Sequence, residues 1–92
     1  MKNFDVLAVD TTAKRAVNYD ARRTSLAIAN ISSTVIVYLG SDIGVTNKNG
    51  FPVYPGTSMT FNKGLGDRPD IERFIVGDAS AEIRIMEYYG AE

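Results

Sequence analysis

Apolar and polar residues alternate along this chain with a period of two in several short runs, and no stretch holds a helical period of 3.6 for three turns. In Thr24–Asn30, Leu26 and Ile28 fall on one face, with Ser25, Ala27 and Ala29 on the other. Alanine is small for a solvated side, so that second face reads as partly covered. Val35–Leu39 is almost wholly β-branched or aromatic, the composition of a central strand buried on both faces or pressed against another subunit. Thr57–Asn62 turns Met59 and Phe61 inward, and Ile71–Val76 is a further apolar run. Ala81–Tyr88 has the cleanest alternation, with Ala81, Ile83 and Ile85 opposite Glu82, Arg84 and Met86.

The joints carry turn chemistry. Asn30-Ile31-Ser32-Ser33-Thr34 interrupts a ladder, and Asn30 is placed to tie the turn down. Between residues 40 and 56 stand four glycines and two prolines; Asn49-Gly50 predicts a turn with positive φ, and Pro55-Gly56 a turn with proline second and glycine third. Gly40 is suited to a close backbone bend, and residues 63–70 read as a loop. Five or six short strands with turns every 8–12 residues predict an all-β fold, a small antiparallel β-sandwich or partly open barrel. Residues 21–92 form that domain. Residues 1–20 follow no single period, which predicts an extended N-terminal arm or an edge strand. Laid on a neighbour, such an arm would be anchored by Phe4, Val6 and Leu7.

The totals narrow the chemistry. Ninety-two residues make one thin-cored domain. Cysteine is absent, which excludes disulfides and thiolate metal sites; histidine is absent, which removes the usual general base and the commonest metal ligand. Ten basic residues against eleven acidic ones leave a net charge of −1, with no bulk attraction to nucleic acid or an anionic membrane. The opening residues are too polar for a signal peptide, and no run reaches a membrane span, so the expectation is a protein made in a cytoplasm.

No catalytic device emerges. The serines lack an activating histidine, and no Gly-x-Ser-x-Gly elbow occurs. Asp67 with Asp70, or Asp42 with Asp78, would need to converge to act as a hydrolytic or calcium pair, and Gly64-Leu65-Gly66 lacks the setting of a phosphate loop. No metal or cofactor is expected. Arg22 and Arg23, with Lys14 and Arg15 upstream, suit either a solvated flank or an acidic partner, and lack the interleaved aromatics of a nucleic-acid platform. Phe51, Tyr54, Tyr88 and Tyr89 are candidates for a protein interface or, as the alternative, for stacking on a sugar. A thin core, two-sided apolar strands and open sheet edges all favour a homo-oligomer, such as a trimer.

A resemblance follows from the central succession. Arg23-x-Ser25-Leu26-x-Ile28-x-Asn30, Val37-Tyr38-Leu39-Gly40, Val45-Thr46, Gly50-Phe51-Pro52-Val53-x-Pro55-Gly56 and Ala81-Glu82-Ile83-Arg84-Ile85-Met86-Glu87 together resemble small proteins of tailed-phage and prophage structural gene clusters. It covers residues 22–87. It implies a non-enzymatic virion protein, a head-decoration or cement β-sandwich bound to itself and to the major capsid or another virion protein. The alternative is a carbohydrate-binding or host-recognition module of the same particle.

Overall fold

The computed structural model describes residues 2–65 and 67–89. Eight strands build it: β1 (Lys2–Val9), β2 (Lys14–Val17), β3 (Arg23–Asn30), β4 (Val37–Gly40), β5 (Phe51–Val53), β6 (Ser58–Asn62), β7 (Arg73–Gly77) and β8 (Ala81–Tyr89). A single 3-10 turn covers Lys63–Leu65, and Gly66 of the neighbouring glycine pair lies outside the described residues. Sheet A has the order β1-β8-β3-β6 and sheet B the order β2-β7-β4-β5, with every pairing antiparallel. The first and last strands are neighbours, and the chain repeatedly crosses between sheets. This is the strand order of an eight-stranded jelly-roll sandwich.

Alternation places the core between the sheets. Sheet A contributes Val9, Leu26, Ile28, Ile83 and Ile85; sheet B contributes Val17, Val37, Leu39, Val53 and Ile75. Leu7, Met59 and Phe61 pack at its margin. Residues 2–9, for which the sequence offers an arm or an edge strand, form β1 at the edge of sheet A, in register with β8 from Lys2↔Tyr88 to Val9↔Ala81. Residues 14–17 form the corresponding edge of sheet B. The outer edge of β1 is partly sealed: the Val6 N–H donates to Asp5 Oδ1 at 2.9 Å, and Lys14 Nζ donates to the Ala8 carbonyl at 2.9 Å. Local polar partners of this kind blunt an open ladder.

Turn chemistry is met at two of the three predicted points. Asn30 is buried; its amide donates to the carbonyls of Val35 (2.7 Å) and Val53 (2.8 Å), and its oxygen accepts from the Ser32 N–H. One side chain therefore joins the end of β3 to the approach to β4 and to β5. At Pro55-Gly56 the Thr57 N–H donates to the Tyr54 carbonyl, and Gly56 takes φ 78°, as a type II turn requires. At Asn49-Gly50 the chain does turn, with the Gly50 N–H donating to the Thr46 carbonyl at 2.9 Å, but neither residue adopts the expected positive φ. Glycine is needed there for space: a Cβ on Gly50 would lie 2.6 Å from Tyr38 Cβ and 2.9 Å from the Thr46 carbonyl oxygen.

That close approach packs residues 41–50 onto the outer side of sheet B. Val45, 6% exposed, sits against Phe74, Val76, Tyr38 and Ala13, and a Cβ on Gly40 would meet its side chain at 2.6 Å. Arg15 lies over the Phe74 ring at 5.1 Å and pairs with Glu72 at 2.9 Å. Sheet B is thus apolar on both sides and covered on both by its own chain.

Candidate functional site

Among the described residues, sheet A has no such plug on its outer side. Its outer side carries, row by row across β1, β8, β3 and β6, the sets Val6–Arg84–Ala29–Ser58 and Phe4–Met86–Ala27–Thr60, and then Tyr88–Ser25–Asn62. Phe4 is 66% exposed and Val6 52%. Together with Asp5, these residues border a shallow groove of about 630 Å³ floored by Ala27, Ala29 and Ser58. Strand parity produces it directly, because whatever stands opposite Leu26, Ile28, Ile83 and Ile85 must face outward. The small residues on β3 and β6 make the hollow, and the larger ones on β1 and β8 make its raised side.

The residues singled out from the sequence divide among several places. Phe4, Val6 and Tyr88 come together on this outer face. Leu7 does not join them, since it is one position out of phase and packs against the core. Phe51 and Tyr54 are exposed, but they lie on β5 and the turn after it, at the far edge of the other sheet. Tyr89 is half-buried and donates from its hydroxyl to Glu87 Oε2 at 3.1 Å. Arg22 stays on the surface, holding Asp20 and lying over the Tyr89 ring at 5.7 Å. Arg84 and Met86, central to the face, carry no functional signal in the sequence beyond their place in the alternation of β8.

Arg23 is not a surface cation. It is 2% exposed, with Nη1 on Glu87 Oε2 at 2.9 Å, Nε on the Pro69 carbonyl at 2.6 Å, and Nη2 on the carbonyls of Asn18 (2.7 Å) and Ile71 (3.2 Å). A buried guanidinium is tolerated only when paired and hydrogen-bonded, and here five hydrogen bonds run to one carboxylate and four backbone carbonyls. It fastens β3 to β8 and to the 67–72 segment. Nearby, Arg73 lies 3.9 Å over the Phe61 ring, and its pKa is lowered by burial and then by repulsion from Arg23. Asp70 is held below the usual carboxylate range by its hydrogen bonds with Arg68, and Asp20 by the backbone N–H and guanidinium of Arg22. The hollow between Arg23, Lys63, Asp67, Arg68 and Asp70 is small, about 130 Å³.

Among the described residues, no group of three His, Cys, Asp or Glu side chains stands close enough to hold a metal ion. Asp67 and Asp70 serve structure: Asp67 accepts from the Asn62 N–H and Asp70 pairs with Arg68. Asp78 accepts from the Tyr38 hydroxyl at 3.1 Å and from Asn47, while Asp42 accepts from the Gly44 N–H. Asp67 and Asp70 border the same small hollow, each already engaged by these partners, while Asp42 and Asp78 are each held by their own loop contacts.

No family model and no curated protein match the chain. Among solved structures, it is similar to a chain from the Bacillus endospore appendages, described as a novel family of disulfide-linked pili. The TM-score is 0.54 at 16% identity, covering 99% of this chain and 87% of the other. At that identity the likeness establishes a shared fold. No helix among the described residues is long and apolar enough to cross a membrane.

Proposed function

We propose that this protein is a non-enzymatic building block of a repetitive particle, with the outer face of sheet A as one of its assembly surfaces. The observation that carries the reading is the contrast between the sheets: one outer face is plugged by Val45, the other presents Phe4, Val6, Met86 and two alanines to solvent. A contiguous apolar patch on a small domain marks an interaction surface. Jelly-roll sandwiches are a common unit of viral capsids, and the similar solved chain belongs to pili, so the fold suits repeated assembly. Without cysteine, contacts made by this chain involve no disulfide, in contrast to disulfide-linked pili.

Within that reading, the resemblance over residues 22–87 favours a virion, with the protein as a head-decoration or cement subunit on a capsid surface. A lattice suits weak contacts, because repetition raises their effective concentration. The carbohydrate alternative would use Tyr54, Tyr88 or Phe51. All three are exposed, Phe51 and Tyr54 at the β5 edge of sheet B and Tyr88 on sheet A, and none of them borders the groove on the outer face of sheet A. The test is quantitative mass spectrometry of density-gradient fractions from cells expressing the native gene. Many copies co-banding with a particle are expected; recovery solely among free proteins at every density overturns the reading.

A further inference from the structure

The outer face of sheet A is divided lengthwise. Its β1 and β8 half is bulky, with Phe4, Val6, Arg84, Met86 and Tyr88; its β3 and β6 half is small, with Ser25, Ala27, Ala29, Ser58 and Thr60. A surface made of a ridge beside a hollow fits a copy of itself. We propose that two copies of this chain pack sheet A against sheet A about a twofold axis parallel to the strands and lying between β8 and β3, so that each ridge fills the partner's hollow.

This rests on the reading of the protein as an assembly subunit and adds the identity of one partner. The axis keeps each row at its own level. Phe4 then meets the partner's Thr60, Met86 the partner's Ala27, Val6 the partner's Ser58 and Arg84 the partner's Ala29. Aligned sheets stacked about 10 Å apart interdigitate in this manner. Charge agrees with shape: Arg84 and Glu82 point to the same side, two positions apart on β8. The twofold therefore lets each Arg84 lean towards the partner's Glu82, an exchange that satisfies both signs. A foreign apolar surface would satisfy the ridge and leave the hollow and Arg84 unmatched.

Size sets the strength. Four strands about 4.8 Å apart, over some six residue steps of about 3.4 Å, give a face of roughly 400 Å² in projection. Two such faces bury on the order of 800–1,000 Å², below the ~1,600 Å² of a standard stable complex. The pair is accordingly weak alone and dissociates on dilution.

Light scattering of the purified chain from about 1 mM downward over a hundredfold range is expected to show the mass falling from twice 10.0 kDa towards 10.0 kDa. Ala27→Arg fills the hollow and should raise the dissociation constant at least tenfold, with the circular dichroism and melting curve unchanged. A second test does not depend on that variant's folding. The chain has no cysteine, so a mixture of Ala27→Cys and Met86→Cys proteins should form a mixed disulfide faster than a control mixture of Ala27→Cys with Thr46→Cys, on the opposite side. A monomer at 1 mM, or equal cross-linking in the two mixtures, overturns the proposal. If the chain remains monomeric yet co-bands with particles, the self-pairing fails and the assembly reading stands. If it dimerises yet never co-bands, the assembly reading fails and the self-pairing stands.

Discussion

Sheet B and sheet A both carry apolar side chains on the side turned away from the core, but only sheet B hides them within its own chain. The difference comes from the connections. Ten residues link β4 to β5, enough to fold back over Phe74 and Val76 and insert Val45 between Gly40 and Gly50. Among the described residues, the groove on the outer side of sheet A is lined only by that sheet's own strands. What sheet B obtains from its own loop, sheet A obtains in the proposed assembly from another molecule. The contrast separates positions that serve stability from those that serve association, although both look alike as exposed strand chemistry.

The strongest way to break the contrast is to unplug sheet B. Val45→Asp places a carboxylate among Phe74, Val76 and Tyr38, and should cost about 3 kcal/mol or more, read as a lower urea midpoint. An unchanged midpoint would mean that the 41–50 segment does not protect that face. Gly50→Ala is milder. Its Cβ meets Tyr38 Cβ at 2.6 Å, and overpacking of this kind should cost about 1–3 kcal/mol by the same measurement. On sheet A the same readout should hardly move: Ala29→Lys is expected within about 0.5 kcal/mol of wild type, while self-association measured by light scattering is lost. A large drop in stability from Ala29→Lys would place that face in the folding core instead.

The smallest effect is a pH dependence in the alkaline range. Partial burial, and then the hydrogen bond to Asp78, raise the pKa of Tyr38 above the usual value of 10.0. The folded chain thus holds this proton more tightly than the unfolded one. The contribution is complete below pH 10 and is lost as pH rises through the higher folded value. Tyr89 is raised as well, by burial and then by Glu87, and shares the window. Urea midpoints at pH 9 and pH 11 should therefore fall less steeply for Tyr38→Phe than for wild type. Equal slopes would remove Tyr38 from the account.

Much of this was legible in the residues. The faces of β3, β6 and β8 follow from strict alternation, and Ala27 and Ala29 mark the second face of β3 as unlike an ordinary solvated one. Pro55-Gly56 predicts its turn because proline and glycine each fix a backbone angle. The rest depends on long-range packing. Phe51–Val53 is a strand although Pro52 interrupts it, because β5 lies at a sheet edge where a missing N–H costs little. Arg23 looks like Arg22 in sequence, and only the convergence of the 67–72 segment and β8 buries one and leaves the other in water. Val45, a lone valine among turn residues, gives no local sign of being a plug. The division of the outer face into ridge and hollow required the order β1-β8-β3-β6, which alternation alone cannot supply.

The position of β8 has a consequence for the chain as it is made. Among the described strands β8 comes last in the chain, yet it lies inside sheet A, pairing with β1 on one side and β3 on the other. A nascent chain that has reached Ser80 already holds every strand of sheet B and the β3–β6 pair, but not the strand that joins β1 to them. Until β8 inserts, β1 has no ladder partner and Arg23 has no Glu87. Such a topology makes closure of sheet A wait for β8, since its decisive contacts join distant residues. The ridge that β8 shares with β1 cannot form before β8 itself is made.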